Sequence, residues 1–300
     1  MSDLLAQLRA AAAAVAERAR YVRINEEAIP AYAASLPQPS VPRAEDETPP
    51  GSREDGAAFW LTLDAINFGS GWFPTLRKRR GKTGYHTIAS GIRERFESHG
   101  PWSPEQLRAL TPEDLARTLS QDPSHELMQL FARSLNDLGH HIQAAGSFRA
   151  VIGGSASSLV AELATWDCFA DVSTYHGLAL PFLKRAQILA ADLHRAGIAT
   201  FADLERLTLF ADNLVPHVLR LDGILAFDPD LVRRIDAEEL IEHGSAEEIE
   251  IRACALHAVE LIVRRQPEAT AAETDQLLWL RGQQPHYKRH PRHRSRCTAY

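Results

Sequence analysis

Residues 180 to 220, LPFLKRAQILAADLHRAGIATFADLERLTLFADNLVPHVLR, constrain the fold more than any other stretch of this chain. Phe182, Leu183, Ala186, Ile188, Leu189 and Leu193 recur at near-helical spacing, which predicts a helix with one apolar face carrying Lys184. Arg195-Ala196-Gly197 is a helix stop, with a cation in the last turn and a glycine just past it. Thr200 then stands at an N-cap position before FADLERL, with Asp203 three residues on, and predicts a short second helix. In Phe210-Ala211-Asp212-Asn213-Leu214-Val215-Pro216 the proline belongs in a first helical turn, so a third helix starts near Asp212 or Asn213. The Asp212 carboxylate can cap that end or point out of it. The plain reading is that Asp212 only caps and Lys184 is only solvated.

Helix signals run through the rest of the chain. Leu4, Leu5, Leu8, Ala12 and Val15 make an apolar stripe behind a cap at Ser2 or Asp3. A helix is expected from Thr83 to Gly100, and SPEQLRAL and TPEDLARTL are two starts of one kind, with Ser or Thr at the cap and Pro at N1. SHELMQLFARSLNDLGHHIQAAG predicts a long helix, and two more are expected on either side of Gly244-Ser245. No stretch alternates apolar and polar residues long enough to predict a sheet. The expected fold class is therefore all-α.

A chain of 300 residues can bury a large core, as one domain or two intimately packed ones. The net charge of −6 argues against broad nucleic-acid binding, whose affinity comes from neutralising phosphates. Cys168, Cys254 and Cys297 lack metal-ligand spacing and read as reduced thiols of a cytosolic protein. No apolar run is long enough to span a bilayer, and the N-terminus lacks the cationic start of a secretory signal. His140 and His141 are adjacent and so face differently, which argues against a metal site, and no cofactor is expected. The proline-rich, acidic residues 37–56 predict a mobile loop.

Residues 57–74, AAFWLTLDAINFGSGWFP, are the second informative stretch. Helical spacing puts Asp64 on one face with Trp60 and Asn67, and a carboxylate among aromatics is costly to bury without a partner. Phe59, Trp60, Phe68, Trp72 and Phe73 read as core first and as a base-stacking platform second. FGSG is not a phosphate-binding loop, because no Gly-Lys-Ser or Gly-Lys-Thr completes it. The basic run TLRKRRGK reads as a solvated loop. Glu248, Glu250 and Arg252 read mainly as surface charge, with Arg252 paired to an acid. By composition HYKRHPRHRSRCTAY reads as a disordered basic tail.

Two helices joined by a glycine turn, with a lysine before and an aspartate after, resemble the helix-hairpin-helix core of base-excising glycosylases. PFLKRAQI, LTLFADNLVPHVL, EEIEIRACALHAVELI and FWLTLDAINFGSGWFP further resemble the queuosine salvage family, the queuosine 5'-phosphate N-glycosylases, as does the final HRSRCTAY. The matches run from about residue 20 to residue 300. The resemblance implies a single helical, glycosylase-like domain over 1–300 that hydrolyses queuosine 5'-monophosphate to queuine and ribose 5-phosphate. It also implies a C-terminus packed back on the domain. On that reading Asp212 and Lys184 are the expected catalytic residues, with Asp64, Asn67, Trp60, Phe68 and Trp72 holding the base. The expected partner is a small nucleotide, with no stable nucleic acid and no membrane. The rival expectations are a helix-hairpin-helix DNA-binding or base-excision protein and a non-enzymatic helical scaffold.

Overall fold

The computed structural model describes residues 3–37 and 51–300. The order begins α1 (Leu4–Ala16), β1 (Val22–Ile24), α2 (Ile29–Ser35), α3 (Arg53–Ala65), α4 (Gly84–His99), α5 (Pro104–Ala109) and α6 (Pro112–Leu119). It continues with α7 (Glu126–Ala145), α8 (Phe148–Val151), α9 (Ala156–Leu163), β2 (Val172–Tyr175), β3 (Leu178–Pro181), α10 (Lys184–Arg195) and α11 (Leu214–Leu221). The last elements are β4 (Leu225–Phe227), α12 (Pro229–Asp236), α13 (Ala246–Val263), α14 (Ala271–Gly282) and α15 (Pro285–Lys288). Helix dominates, as expected. Among the described residues, no helix is long and apolar enough to cross a membrane.

The described residues condense into two compact units. The first takes 3–37, 171–184 and 203–297; the second takes 51–170, 185–202 and 298–300. In the first, α13 is buried almost all round, through Ile249, Ile251, Ala253, Cys254, Leu256, Val259 and Ile262. A helix buried on nearly every side belongs at the centre of a core. Leu8, Ala11, Ala12 and Val15 of α1 join the same core, and a fully buried leucine contributes about 1.5–3 kcal/mol. Two short antiparallel ladders complete this unit. β1 pairs with β4, Val22 opposite Phe227, and β2 pairs with β3, Tyr175 opposite Leu178. The β2–β3 turn is His176-Gly177, with φ of 47° and 82°, the positive values a two-residue primed hairpin turn requires. Ladders of three or four pairs are too short to register as an alternating pattern.

In the second unit α7 turns Leu127, Phe131, Leu135 and Leu138 inward. The segment of α5 crosses so close at Gly139 that an added Cβ would meet Arg108 N, Leu107 Cβ and Pro104 O at 2.8 Å. Capping boxes start α3, α5 and α6 at Ser52, Ser103 and Thr111. The box at Ser52 corrects one expectation. Asp55 Oδ2 accepts the Ser52 N–H at 2.8 Å, so 53–56 are the first turn of α3 and not part of a loop. The expected loop otherwise falls at 38–50, outside the described residues.

Two further expectations change. Gly197 ends α10 as expected, at φ 67°, with Ile198 N–H donating to Leu193 O at 3.0 Å. FADLERL, however, holds only a 3₁₀ turn at Leu204–Arg206, and Thr200 starts no α-helix. Seven residues between two stops are too few to pay the nucleation cost of an α-helix without an apolar stripe to bury. The basic C-terminal run is not a loose tail: His293 and Ser295 are buried, and Ile241 N–H donates to Arg294 O at 2.9 Å.

Candidate active site

Pro216 sits in the first turn of α11, as its missing N–H allows. Just ahead of it, Asp212 Oδ1 accepts the Leu214 N–H at 2.7 Å and the Val215 N–H at 3.4 Å. The carboxylate is half-buried and does cap. A helix N-terminus favours a negative charge there. Asn213 Nδ2 donates to His293 O at 3.1 Å, which ties this corner to the C-terminal segment. Burial pushes the Arg292 guanidinium below its usual range, and the Asp212 charge acts against that shift.

Lys184 opens α10 and is buried, with 4% of its surface exposed. Its backbone N–H donates to Asp171 Oδ2 at 3.0 Å. Leu183 just before it takes φ 48° and donates its own N–H to Asp171 O at 3.2 Å. Asp171 is held in turn by Arg252, Nη1 to Oδ1 at 3.0 Å and Nη2 to Oδ2 at 2.7 Å, the fork geometry of a bidentate pair. Arg252 Nε donates to Ala211 O at 2.9 Å, and the guanidinium lies 3.9 Å from the Phe182 ring centre.

Glu248 lies one turn ahead of Arg252 on α13. Its Oε1 is 3.5 Å from Arg252 Nη1 and accepts from His243 Nδ1 at 3.3 Å, while Oε2 accepts the Gly244 N–H at 3.1 Å. Burial works to raise the Glu248 carboxyl, but the His243 hydrogen bond and the Arg252 charge outweigh it and hold it low, at about 2. His243 is raised to about 10, first by its hydrogen bond with Cys297 and then by Glu248. Burial lowers His217 to about 4 and His293 to about 3, so both rings are neutral near pH 7. His217 Nε2 lies 3.0 Å from Tyr287 O, a carbonyl that can only accept, so the proton sits on Nε2.

Glu248, Glu250 and Arg252 are each 0% exposed, which overturns their reading as surface charge. The expected pairing of Arg252 with an acid is present, and the acid is Asp171. Glu250 is a separate staple. Its Oε2 accepts the N–H groups of Arg20, Tyr21 and Val22 at 2.9, 2.6 and 3.2 Å, and its Oε1 accepts the Tyr175 hydroxyl at 2.8 Å.

Asp64, Asn67, Trp60, Phe68 and Trp72 all lie in the second unit. Asp64 is wholly buried near the end of α3, and its Oδ1 accepts from Asn67 Nδ2 at 3.2 Å, so the structure brings these two together. Ala65 O next to it accepts Ser134 Oγ at 2.6 Å and Arg185 Nη1 at 2.5 Å. Trp60 and Phe68 are core residues here, Trp60 against Phe59 and Phe68 between Phe131 and the Arg185 guanidinium. Trp72 Nε1 donates to Glu126 Oε2 at 2.7 Å. Gly69 N–H donates to Tyr300 O at 3.1 Å, so the aromatic C-terminus packs against the FGSG turn. At φ 118°, and with Leu127 Cδ2 2.9 Å from where a Cβ would stand, only glycine fits at 69.

A family described as queuosine salvage protein matches residues 48–300. The chain belongs to that family. It is 34% identical over 95% of both chains to a Sphaerobacter thermophilus protein named queuosine 5'-phosphate N-glycosylase/hydrolase. Proteins of the same name from Bos taurus, 28% identical over 86% of each chain, and from Dictyostelium discoideum, 30% identical over 81% of this chain and 78% of its own, match as well.

Sequence reasoning missed Asp171 and the burial of Arg252 and Glu248. A signal existed for Arg252. It stands in IEIRACALHA between Ile251 and Ala253, on a helix with little polar face, and a charge there has to be buried with a partner. Asp171 has no comparable signal, since it stands in the connection just before a strand of only four residues.

Proposed function

We propose that this chain is a cytoplasmic N-glycosyl hydrolase that splits queuosine 5'-monophosphate into queuine and ribose 5-phosphate. The reading is carried by similarity along 95% of both chains to a relative named for that activity. Breaking the glycosidic bond leaves positive charge on the ribose ring. A carboxylate held below C1' stabilises that charge and can orient or deprotonate the attacking water. Asp212 suits this role: one oxygen is committed to two backbone amides, which fixes the direction of the other. The leaving base is a 7-deazaguanine with no N7 to protonate, so its departure needs other stabilisation, and Lys184 is assigned to offset the negative charge that develops on it. The neutral His217 and His293 are unsuited to supplying a proton at pH 7. Asp64 with Asn67 is assigned to the N–H donors and the cationic amine of the base, and Trp60, Phe68 and Trp72 are assigned to stacking on its ring system. Catalysis is monofunctional hydrolysis, with water taking the sugar and no lysine adduct.

Incubation of the protein with queuosine 5'-monophosphate, followed by chromatography, should yield free queuine and ribose 5-phosphate in equal amounts. Unchanged nucleotide after prolonged incubation with folded protein overturns the reading. A parallel gel-shift with plasmid DNA at physiological salt should show no complex.

A further inference from the structure

We propose that Arg252, clamped by Asp171, is the positioning residue that sets both Asp212 and Lys184, an inference that rests on the hydrolase reading of those two residues. Arg252 spreads its guanidinium over several partners: Nη1 and Nη2 on Asp171, Nη1 also 3.5 Å from Glu248 Oε1, Nε on Ala211 O, and one face over Phe182. Ala211 O shares a planar peptide with Asp212 N, so holding that carbonyl sets the orientation from which the Asp212 side chain departs. Asp171 does the same for the other residue, because its Oδ2 accepts the Lys184 N–H and its backbone carbonyl accepts the N–H of Leu183. Leu183 is a bulky residue at φ 48°, a conformation that persists only where its surroundings impose it. One ion pair therefore stands a single hydrogen bond from the peptide before Asp212 and from the peptide before Lys184. Both partners are essentially closed to solvent, at 0% and 3% exposure, and Arg252 is carried on the buried helix α13. A lysine at 252 offers a point charge, and cannot serve a carboxylate fork, a carbonyl and a ring face together.

The test uses the full chain carrying Arg252→Lys or the nearly isosteric Asp171→Asn, read in two ways. Without substrate, amide hydrogen exchange at Lys184, Leu214 and Val215 should quicken by more than about tenfold in Arg252→Lys, while amides in the middle of α1 and α7 keep their protection. With queuosine 5'-monophosphate, kcat should fall on the order of 100-fold with KM within about threefold, the signature of misplaced groups. Local amides as protected as in wild type, or wild-type kcat in folded Arg252→Lys protein, overturn the proposal. So does a uniform rise in exchange across the chain, or failure of both variants to fold, since either makes the pair a folding determinant only. A wild-type protein that releases no queuine sinks the hydrolase reading instead, and the exchange arm then decides alone whether the clamp holds the two residues.

Discussion

Asp212 and Leu214 are joined by a 2.7 Å hydrogen bond from the Leu214 N–H to Asp212 Oδ1, so the proposed catalytic carboxylate is also the cap of α11. The two roles can be separated by substitution. Asparagine caps a helix about as well as aspartate but carries no charge. Asp212→Asn should therefore keep the wild-type melting temperature and substrate binding while losing kcat by at least about 100-fold. Asp212→Ala should lose the cap as well, at a further cost of about 1 kcal/mol in urea unfolding. Wild-type turnover by folded Asp212→Asn protein would remove Asp212 from the mechanism.

Asp64 is buried with a hydrogen bond to Asn67, so truncation would disturb the fold as well as any site. Asp64→Asn keeps the shape and is the better probe. It should lower kcat/KM on queuosine 5'-monophosphate by more than about tenfold, with the cost in stability kept to the order of 1 kcal/mol. Glu268→Ala, at an exposed position, should leave both quantities unchanged. Asp55, though also acidic and near α3, is no neutral control, since it closes the capping box at Ser52. If Asp64→Asn melts early while its folded fraction turns over normally, Asp64 serves only the fold.

Glu250 should behave in the opposite way. Its carboxylate accepts three backbone N–H groups and the Tyr175 hydroxyl, and Glu250→Ala strands all four donors. Hydrogen bonds to a charged group contribute about 1.5–3 kcal/mol each in favourable cases, so a loss of more than about 3 kcal/mol in urea unfolding is expected. Activity per folded molecule should be retained. Selective loss of kcat in a stable Glu250→Ala protein would contradict this purely structural role.

The raised His243 imidazole makes stability depend on pH on the alkaline side. An unfolded histidine titrates near about 6.5, whereas His243 in the folded chain is held to about 10 by Cys297 and Glu248. The folded state thus binds the proton more tightly. Its contribution is complete below the unfolded value, fades as pH rises between the two, and is gone above the folded one. Because the ring is partly exposed, solvent screening reduces its size. Urea midpoints at pH 6, 8 and 10 should decline less steeply in His243→Gln than in wild type. Parallel declines in the two proteins would show that His243 is not the source.

Much of the fold was legible because local chemistry decides it. Thr83 and Gly100 bound α4, Ser245 starts α13, and Gly197 ends α10, each through a side chain or backbone freedom acting within a few residues. FADLERL misled because its capping pattern is real but the segment is too short to hold a helix on propensity alone. The β2–β3 hairpin left only the His176-Gly177 turn as a trace. The placement of the two proposed site residues was legible, Asp212 through Pro216, which pins the start of α11, and Lys184 through the apolar stripe of α10.

What the sequence determined by itself was thus the helical class, the positions of most caps and stops, and membership of a family whose idiosyncratic strings run along the chain. Those properties depend on neighbours within about one turn, or on the strings themselves. Only the tertiary structure decided that Asp171, Arg252 and Glu248 form one buried network between the starts of α10 and α11, and that Glu250 staples residues 20–22. Asp171 and Arg252 stand 81 positions apart, and each charge is tolerated in the interior because the other, with the rest of the network, is there. Sequence spacing carries no record of such a partner, since it is the packing of α13 against distant segments that brings it within reach.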